Sequence, residues 1–325
     1  MTASTKDRIF IGIDLGGTNV RVGTVTPTGE VTTWVEEPIE ASQGPEAGVE
    51  KIAGLIERVT DEAGGWLQAI GIGSTGPVDR SLGSIQNPYT LPTWENVNIV
   101  SMLQDRFGVP VTIENDADAA ALGESWVGAG RGLPRLCMVT IGTGVGTAFI
   151  QDGKIYRGVG GAHCEGGHMI LDPSGPECYC GARGCWESLA SGPALGVYAR
   201  EQAALHPTLM TALAGGDFEK IHAAVVADAA RRGDSLAVEV IDRAANYIAL
   251  GLVNLITLFL PDCIVLTGGV MRSFDLMEAR IRSVIARHNI MSPVEKVTLR
   301  LAALGQQAGM IGAAQAAMQM MDERT

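Results

Sequence analysis

Three thiols and an imidazole fall close together in one glycine-rich run: His168, Cys178, Cys180 and Cys185. Three thiolates and one imidazole can surround a single divalent ion, and a closed tetrahedral set of this kind is a structural zinc site, not a hydrolytic one. The spacing departs from the common C-x2-C form, Cys164 competes as fourth ligand, and buried thiols or a redox pair would share the same composition. A second group is the stretch Glu114-Asn115-Asp116-Ala117-Asp118, which follows the apolar residues Val109 and Val111. Asp116 falls where a strand would meet a helix N-terminus. A carboxylate there either caps the helix or accepts the proton of an attacking hydroxyl, with Asn115 orienting the substrate. Glu114 and Asp118 compete for that role on spacing alone.

Glycine turns form the third group. Asp14-Leu15-Gly16-Gly17-Thr18 and Gly142-Thr143-Gly144-Val145-Gly146 each sit between apolar runs, and Thr267-Gly268-Gly269 follows another. Without a Cβ, such a turn brings backbone N–H groups close to an anionic oxygen. A carboxylate beside it, as at Asp14, suits a hydrated Mg²⁺, which keeps its waters and takes few protein ligands. An Asx-type turn is the simpler reading of the same residue. Neither a Walker A sequence nor a G-x-G-x-x-G opening a βα unit appears, which disfavours P-loop and Rossmann folds.

These residues need a scaffold that alternates strands with helices. Ile9–Ile13 and Val20–Val25 predict a hairpin around the first turn, and Leu136–Ile150 predicts a second of the same shape, as in a duplicated unit. Helical spacing covers 48–63, 117–126 and 236–260, and a last helix at 305–321 carries small residues that permit close packing. The pattern predicts an α/β chain. At 325 residues the chain is long enough for two lobes. The expected division is 1–118 as a small N-terminal lobe, with the helix 306–325 returning to it, and 119–305 as a larger lobe bearing the cysteine loop.

Composition narrows the function. There are 24 Lys plus Arg against 36 Asp plus Glu, a net charge of −12, and no basic cluster larger than Arg231-Arg232. Such a surface repels nucleic acid and anionic lipid. The start MTASTKDRIF lacks the apolar run of a signal peptide, and the apolar stretch from Tyr247 to Leu260 is too short to span a bilayer. The expectation is a soluble, cytoplasmic protein with reduced cysteines and no membrane or nucleic-acid partner.

The motifs, in this order along nearly the whole chain, resemble those of ROK-family sugar kinases. They are Asp14-Leu15-Gly16-Gly17-Thr18, Glu114-Asn115-Asp116, Gly142–Gly146, Gly167-His168, Cys178-x-Cys180-x4-Cys185-x-Glu187, Gly268-Gly269 and the Ala308-Gly309…Gly312-Ala313-Ala314 ending. The first alone is shared with hexokinases and other actin-like ATPases; the cysteine run is far more specific. The resemblance implies a two-lobed actin-like ATPase (ribonuclease H-like) fold with the active site in the interlobe cleft. It further implies transfer of the γ-phosphoryl group of ATP, with Mg²⁺, to a sugar hydroxyl, and a homodimer or homotetramer.

Carried over by position, Asp116 is the catalytic base, and Asn115, Asp116, Glu165, His168 and Glu187 contact the sugar. His168 would also bind zinc through its other ring nitrogen, beside Cys178, Cys180 and Cys185. Gly16, Gly17, Thr18 and Asn19, with Gly142, Thr143 and Gly144, would face the phosphates; Gly268 and Gly269 would face the adenosine, and Asp14 the magnesium through water. The chain departs from the family where His163-Cys164 replaces a small Ala-Gly pair before Glu165. It departs again at Thr90, where Asn is common, and at Asn19 and Arg21 after the first turn. The first expectation is glucose phosphorylated at the 6-hydroxyl, with His163 and Cys164 crowding an N-acetyl group at the 2-position. N-acetylmannosamine, N-acetylglucosamine, fructose and allose kinases share most of the motifs. A sugar-responsive repressor of the same family would need a helix-turn-helix before the first turn, and residue 14 leaves no room for one.

Overall fold

The computed structural model describes residues 8–87, 90–288 and 291–323. Residues 1–7, on which the expectation of no leader partly rests, lie outside that set, as do 324 and 325, to which the expected last helix extended. The first strand, β1 (Arg8–Leu15), is apolar on both faces, as a strand covered on both sides must be. It turns at Gly16-Gly17 into β2 (Asn19–Val25) and β3 (Val31–Pro38), both antiparallel, and β3 forms the half-exposed edge. Helix α1 (Pro45–Ala63) starts on a proline and stops at the left-handed Gly64. Its buried stripe of Val49, Ile52, Ile56 and Val59 joins the core around Ile11, Ile13, Ile70 and Ile72.

Next come β4 (Trp66–Ser74), the short hairpin β5 (Val78–Asp79) and β6 (Ser84–Ile85), α2 (Ile99–Phe107), β7 (Val111–Asn115) and α3 (Asp116–Trp126). The sheet order is β3-β2-β1-β4-β7, with β4 and β7 parallel to β1. The chain continues through β8 (Arg135–Ile141), β9 (Val145–Gln151) and β10 (Lys154–Ile155) to α4 (Trp186–Ala190), α5 (Gly192–Leu205), α6 (Leu209–Leu213) and α7 (Ala223–Arg231). It ends through α8 (Ser235–Phe259), β11 (Cys263–Thr267), α9 (Phe274–His288), β12 (Thr298–Leu301) and α10 (Ala308–Asp322). The second sheet runs β10-β9-β8-β11-β12, the order of the first: a hairpin and an edge strand on one side, two later strands on the other.

The chain forms two compact units, 1–136 with 148–163 and 302–325, and 137–147 with 164–301. Within the first, α10 packs on β1, β4 and α3. This approach needs glycine. A Cβ at Gly12 or Gly71 would collide with the backbone of α10, and one at Gly312 with the Ala119 carbonyl. In the second unit, α8 admits the buried ring of Trp186 against Gly251, anchoring the chain just after the cysteine run. Among the described residues no helix is long and apolar enough to cross a membrane.

Glu124 on α3 ties in the segment that leads to α10. Its carboxylate is fully buried and accepts the N–H groups of Ala129 at 2.7 Å, Ala303 at 2.9 Å and Leu304 at 2.8 Å. Glu124→Ala removes the acceptor shared by three donors and should cost about 3 kcal/mol or more in urea unfolding, since each lost partner costs roughly 1–3 kcal/mol. Glu124→Gln keeps one oxygen and should cost less than half as much. A loss below about 1 kcal/mol for the alanine variant would refute this anchoring role.

Candidate active site

In the first unit, β7 ends at Asn115 and α3 begins at Asp116, so the expected strand–helix junction is present. Asn115 is the N-cap: its Oδ1 accepts the Ala117 N–H at 2.8 Å, while its Nδ2 lies against Gly76. Asp116 Oδ1 accepts the same N–H at 2.8 Å. The two rival carboxylates are committed elsewhere. Glu114, 2% exposed, is clamped by Arg80 Nε at 2.9 Å and Arg157 at 2.6 Å. Asp118 holds His163 Nδ1 at 3.0 Å, with Arg157 at 3.9 Å. Asp116 alone of the three has no ion pair among the described residues. Burial first, then the negative charge of Asp14, raise its pKa from 3.8 to about 6, against the opposing pull of the Ala117 N–H and His163.

Asp14 is next to last in β1, beside the first glycine turn. Its Oδ2 accepts Arg21 at 2.9 Å, and Arg21 in turn reaches Glu36 at 2.9 Å, a carboxylate that also accepts Asn19 Nδ2. Burial raises the Asp14 pKa despite Arg21. A Cβ at Gly309 would stand 2.9 Å from the Asp14 carboxyl carbon, so α10 presses directly on this group. The turn itself is closed by Gly16 N–H to Asn19 carbonyl at 3.0 Å. Gly17 passes so near the Thr90 carbonyl that a Cβ would lie 2.6 Å from it, and Thr90 is fixed by Asn87.

In the second unit, the ligand atoms of His168, Cys178, Cys180 and Cys185 all lie within 4.8 Å of one another. Cys180 and Cys185 sulfurs are 3.6 Å apart, and Cys178 Sγ is 3.6 Å from His168 Nδ1. A tetrahedral ion with bonds of about 2.3 Å separates its sulfur ligands by about 3.8 Å, so the donor set fits. Cys164 is not part of this set; its carbonyl accepts the Thr147 hydroxyl at 2.9 Å. The knot depends on Gly184, whose positive φ of 67° and contact with the Asp172 carbonyl leave no room for a side chain.

The outward nitrogen of His168, Nε2, is 3.3 Å from the Tyr179 hydroxyl. Glu187 Oε2 accepts the Val145 N–H at 2.8 Å, directly beyond the second glycine turn. Glu165 is exposed and close enough to act electrostatically on Tyr179. The second turn closes through Gly142 N–H to Gly144 carbonyl at 2.9 Å, and Gly142 carbonyl accepts Gly192 N–H at 2.8 Å. Gly142, Thr143 and Gly269 line one cavity of about 540 Å³, together with Val197, Arg200 and His222. Gly268 lies against the Ile141 backbone, with φ 97°. The sequence carried no signal for Val197, Arg200 or His222, which stand on or beside ordinary helices.

The pattern of the ROK family matches residues 10–320. The glucokinase of Thermotoga maritima is 36% identical over 306 residues, which covers 94% of this chain and 96% of that protein. Among solved structures, a ROK family glucokinase from Streptomyces griseus, in complex with glucose and AMPPNP, superimposes with a TM-score of 0.78 at 33% identity, covering 96% of this chain and 99% of its own. A ROK hexokinase from Thermus thermophilus gives 0.83 at 32% identity, covering 97% and 99%. The fold is the α/β actin-like ATPase fold.

The raised pKa of Asp116 carries a stability consequence. A carboxyl whose folded value lies above its unfolded value supports folding below about pH 4, and this support is lost as pH rises through about 6. Asp116→Asn should therefore be more stable than the wild type at pH 8, by about 3 kcal/mol, and the gain should vanish below about pH 4. Thermal unfolding across that range would show it, and equal stability at pH 8 would contradict it.

Proposed function

The chain belongs to the ROK family, and from that premise we propose that it is an ATP-dependent hexose kinase that phosphorylates glucose at the 6-hydroxyl. One observation carries the assignment of the base: Asp116 stands first on α3, while ion pairs hold Glu114 and Asp118 on either side. A carboxylate with a pKa near 6 is ionised at neutral pH yet basic enough to take a proton from a hydroxyl as its oxygen attacks phosphorus. The attacking oxygen bonds to the γ-phosphorus, the bond to the β–γ bridging oxygen breaks, and ADP leaves with that electron pair. Asn115, capped on Ala117, would offer its Nδ2 to the sugar.

The glycine turns at Gly16–Asn19 and Gly142–Gly144 would present backbone N–H groups to phosphate oxygens. The cavity at Gly142, Thr143 and Gly269 suits the nucleoside, with Gly268 at its border and the apolar Val197 and Val270 available to the base. Mg²⁺ would be held through water on Asp14, whose Oδ2 is engaged by Arg21; when bound it neutralises charge on the phosphates. Glu165, His168 and Glu187 would hydrogen-bond the sugar hydroxyls. The ion held by His168 and the three cysteines would be zinc, shaping the loop that carries those contacts.

The test is ADP release with glucose, mannose, fructose, N-acetylglucosamine and N-acetylmannosamine, from pH 5 to 9, in wild type and Asp116→Asn. Glucose should be favoured. Activity should fall as pH drops through about 6, and the variant should lose roughly 10²–10⁴ in kcat. A tenfold preference for an N-acetyl sugar would overturn the assignment of the acceptor, and a variant keeping a third of wild-type kcat would overturn that of the base. Elemental analysis of protein purified without chelator should give about one zinc per chain. Cys180→Ser should lower both the zinc content and the melting temperature; absence of zinc from the wild type would refute the metal assignment.

A further inference from the structure

We propose that Asn87 is a positioning residue for the phosphate-facing turn at Gly16–Asn19, its side chain closing a ring of contacts that holds Thr75 and Thr90 against that turn. The inference rests on the kinase reading above and concerns a buried residue that belongs to none of the motifs.

A two-glycine turn binds a ligand well only when something fixes it, because glycine keeps the widest choice of backbone conformations. Here the Gly16 N–H donates to the Asn19 carbonyl at 3.0 Å, and the Thr18 carbonyl accepts the Ile39 N–H at 2.8 Å, which ties one side of the turn to the chain beyond β3. The other side rests on Thr90. A Cβ on Gly17 would lie 2.6 Å from the Thr90 carbonyl oxygen and 3.0 Å from the Thr90 Cβ, so backbone and side chain of Thr90 both press on Gly17. In packing this close, a shift of Thr90 passes directly to the turn.

Asn87 fixes Thr90 twice. Its Oδ1 accepts the Thr90 N–H at 3.1 Å, and its Nδ2 donates to the Thr90 hydroxyl at 2.7 Å. The same Nδ2 lies 3.4 Å from the Thr75 hydroxyl, which is itself 3.4 Å from that of Thr90. Thr75 follows β4, and its N–H donates to the carbonyl of Leu15, the residue just before Gly16. The ring therefore leaves β1 at Leu15, crosses the turn to Thr90 and returns through Asn87 and Thr75, all within the first unit. Asparagine suits the place because one planar group supplies both an acceptor for the backbone N–H and a donor for the hydroxyls. At 2% exposure, water cannot replace a bond that is lost. A turn held in this way presents its N–H groups to phosphate oxygens without first having to be ordered, which favours nucleotide binding. Asn87 acts through Thr90 and is not among the proposed sugar contacts.

The test compares wild type with Asn87→Ala, Thr90→Val and Thr90→Ser. Binding of AMPPNP with Mg²⁺ and, separately, of glucose is read by calorimetry, and turnover by ADP release. Thr90→Val replaces the hydroxyl by a methyl of similar size, and its AMPPNP dissociation constant and KM for ATP should rise about three- to tenfold. Thr90→Ser keeps the hydroxyl and should stay within about twofold of wild type. Asn87→Ala retains both threonine hydroxyls, yet should lose about tenfold or more in AMPPNP affinity. Glucose affinity should stay within about twofold throughout. Unchanged AMPPNP binding in Thr90→Val overturns the proposal, as does an equal loss of glucose binding or a serine variant no better than the valine one. Wild-type AMPPNP affinity in a folded Asn87→Ala also overturns it; should that variant not fold, the valine and serine pair decides. Wild type that binds AMPPNP but turns over none of the sugars refutes the kinase reading alone, and the binding comparison still decides the role of Asn87. Wild type that binds no AMPPNP overturns the proposal, because the turn then faces no phosphate.

Discussion

The first unit depends on how closely α10 lies on β1, β4 and α3. A helix normally rests on a sheet through interleaved side chains, but here backbone meets backbone at Gly12, Gly71 and Gly312. The approach fixes the height of α10 above the strands to within a methyl group. Two chemical groups take their positions from it. Asp14, next to last in β1, lies directly beneath Gly309, and Asp116 opens α3, the helix that packs most extensively on α10. Any side chain added at these contacts would displace the two carboxylates whose mutual repulsion helps set the pKa of Asp116.

Charge compensation then decides which carboxylate is available. Three acids within five residues of one junction would repel one another and resist burial together. The fold answers with Arg80 on one side and the segment carrying Arg157 and His163 on the other. The compensation is selective: it neutralises Glu114 and Asp118 and leaves Asp116 with only a helix N-terminus and one backbone N–H. His163, where the family usually has a small residue, gains a buried partner in Asp118 in exchange for its volume.

Much of this was legible in the sequence because it is local. Glycine pairs between apolar runs announced both hairpins, and the Val111–Asp116 stretch announced a strand running into a helix. The tight spacing of Cys178, Cys180 and Cys185 announced a ligand set whose members need only a loop to meet. What escaped was non-local. Arg80 and Arg157 reach Glu114 across 34 and 43 residues, and neither belongs to a motif. Val197 and His222 line the cavity beside Gly142 from α5 and from the residue before α7, where helical periodicity says only which face is buried.

The return of α10 to strands laid down some three hundred residues earlier matters during synthesis. When β1, β4 and α3 leave the ribosome, the surface they will offer to α10 is a glycine-lined groove with nothing to fill it. At roughly 5–20 residues per second, the filling helix follows only after tens of seconds. For that interval the nascent first unit exposes apolar strands, Phe10, Val25 and Ala69 among them, whose cover is Ala314 and Ala317. Until α10 arrives, that uncovered apolar surface is open to association with other chains, the hazard that a transiently exposed core carries during synthesis.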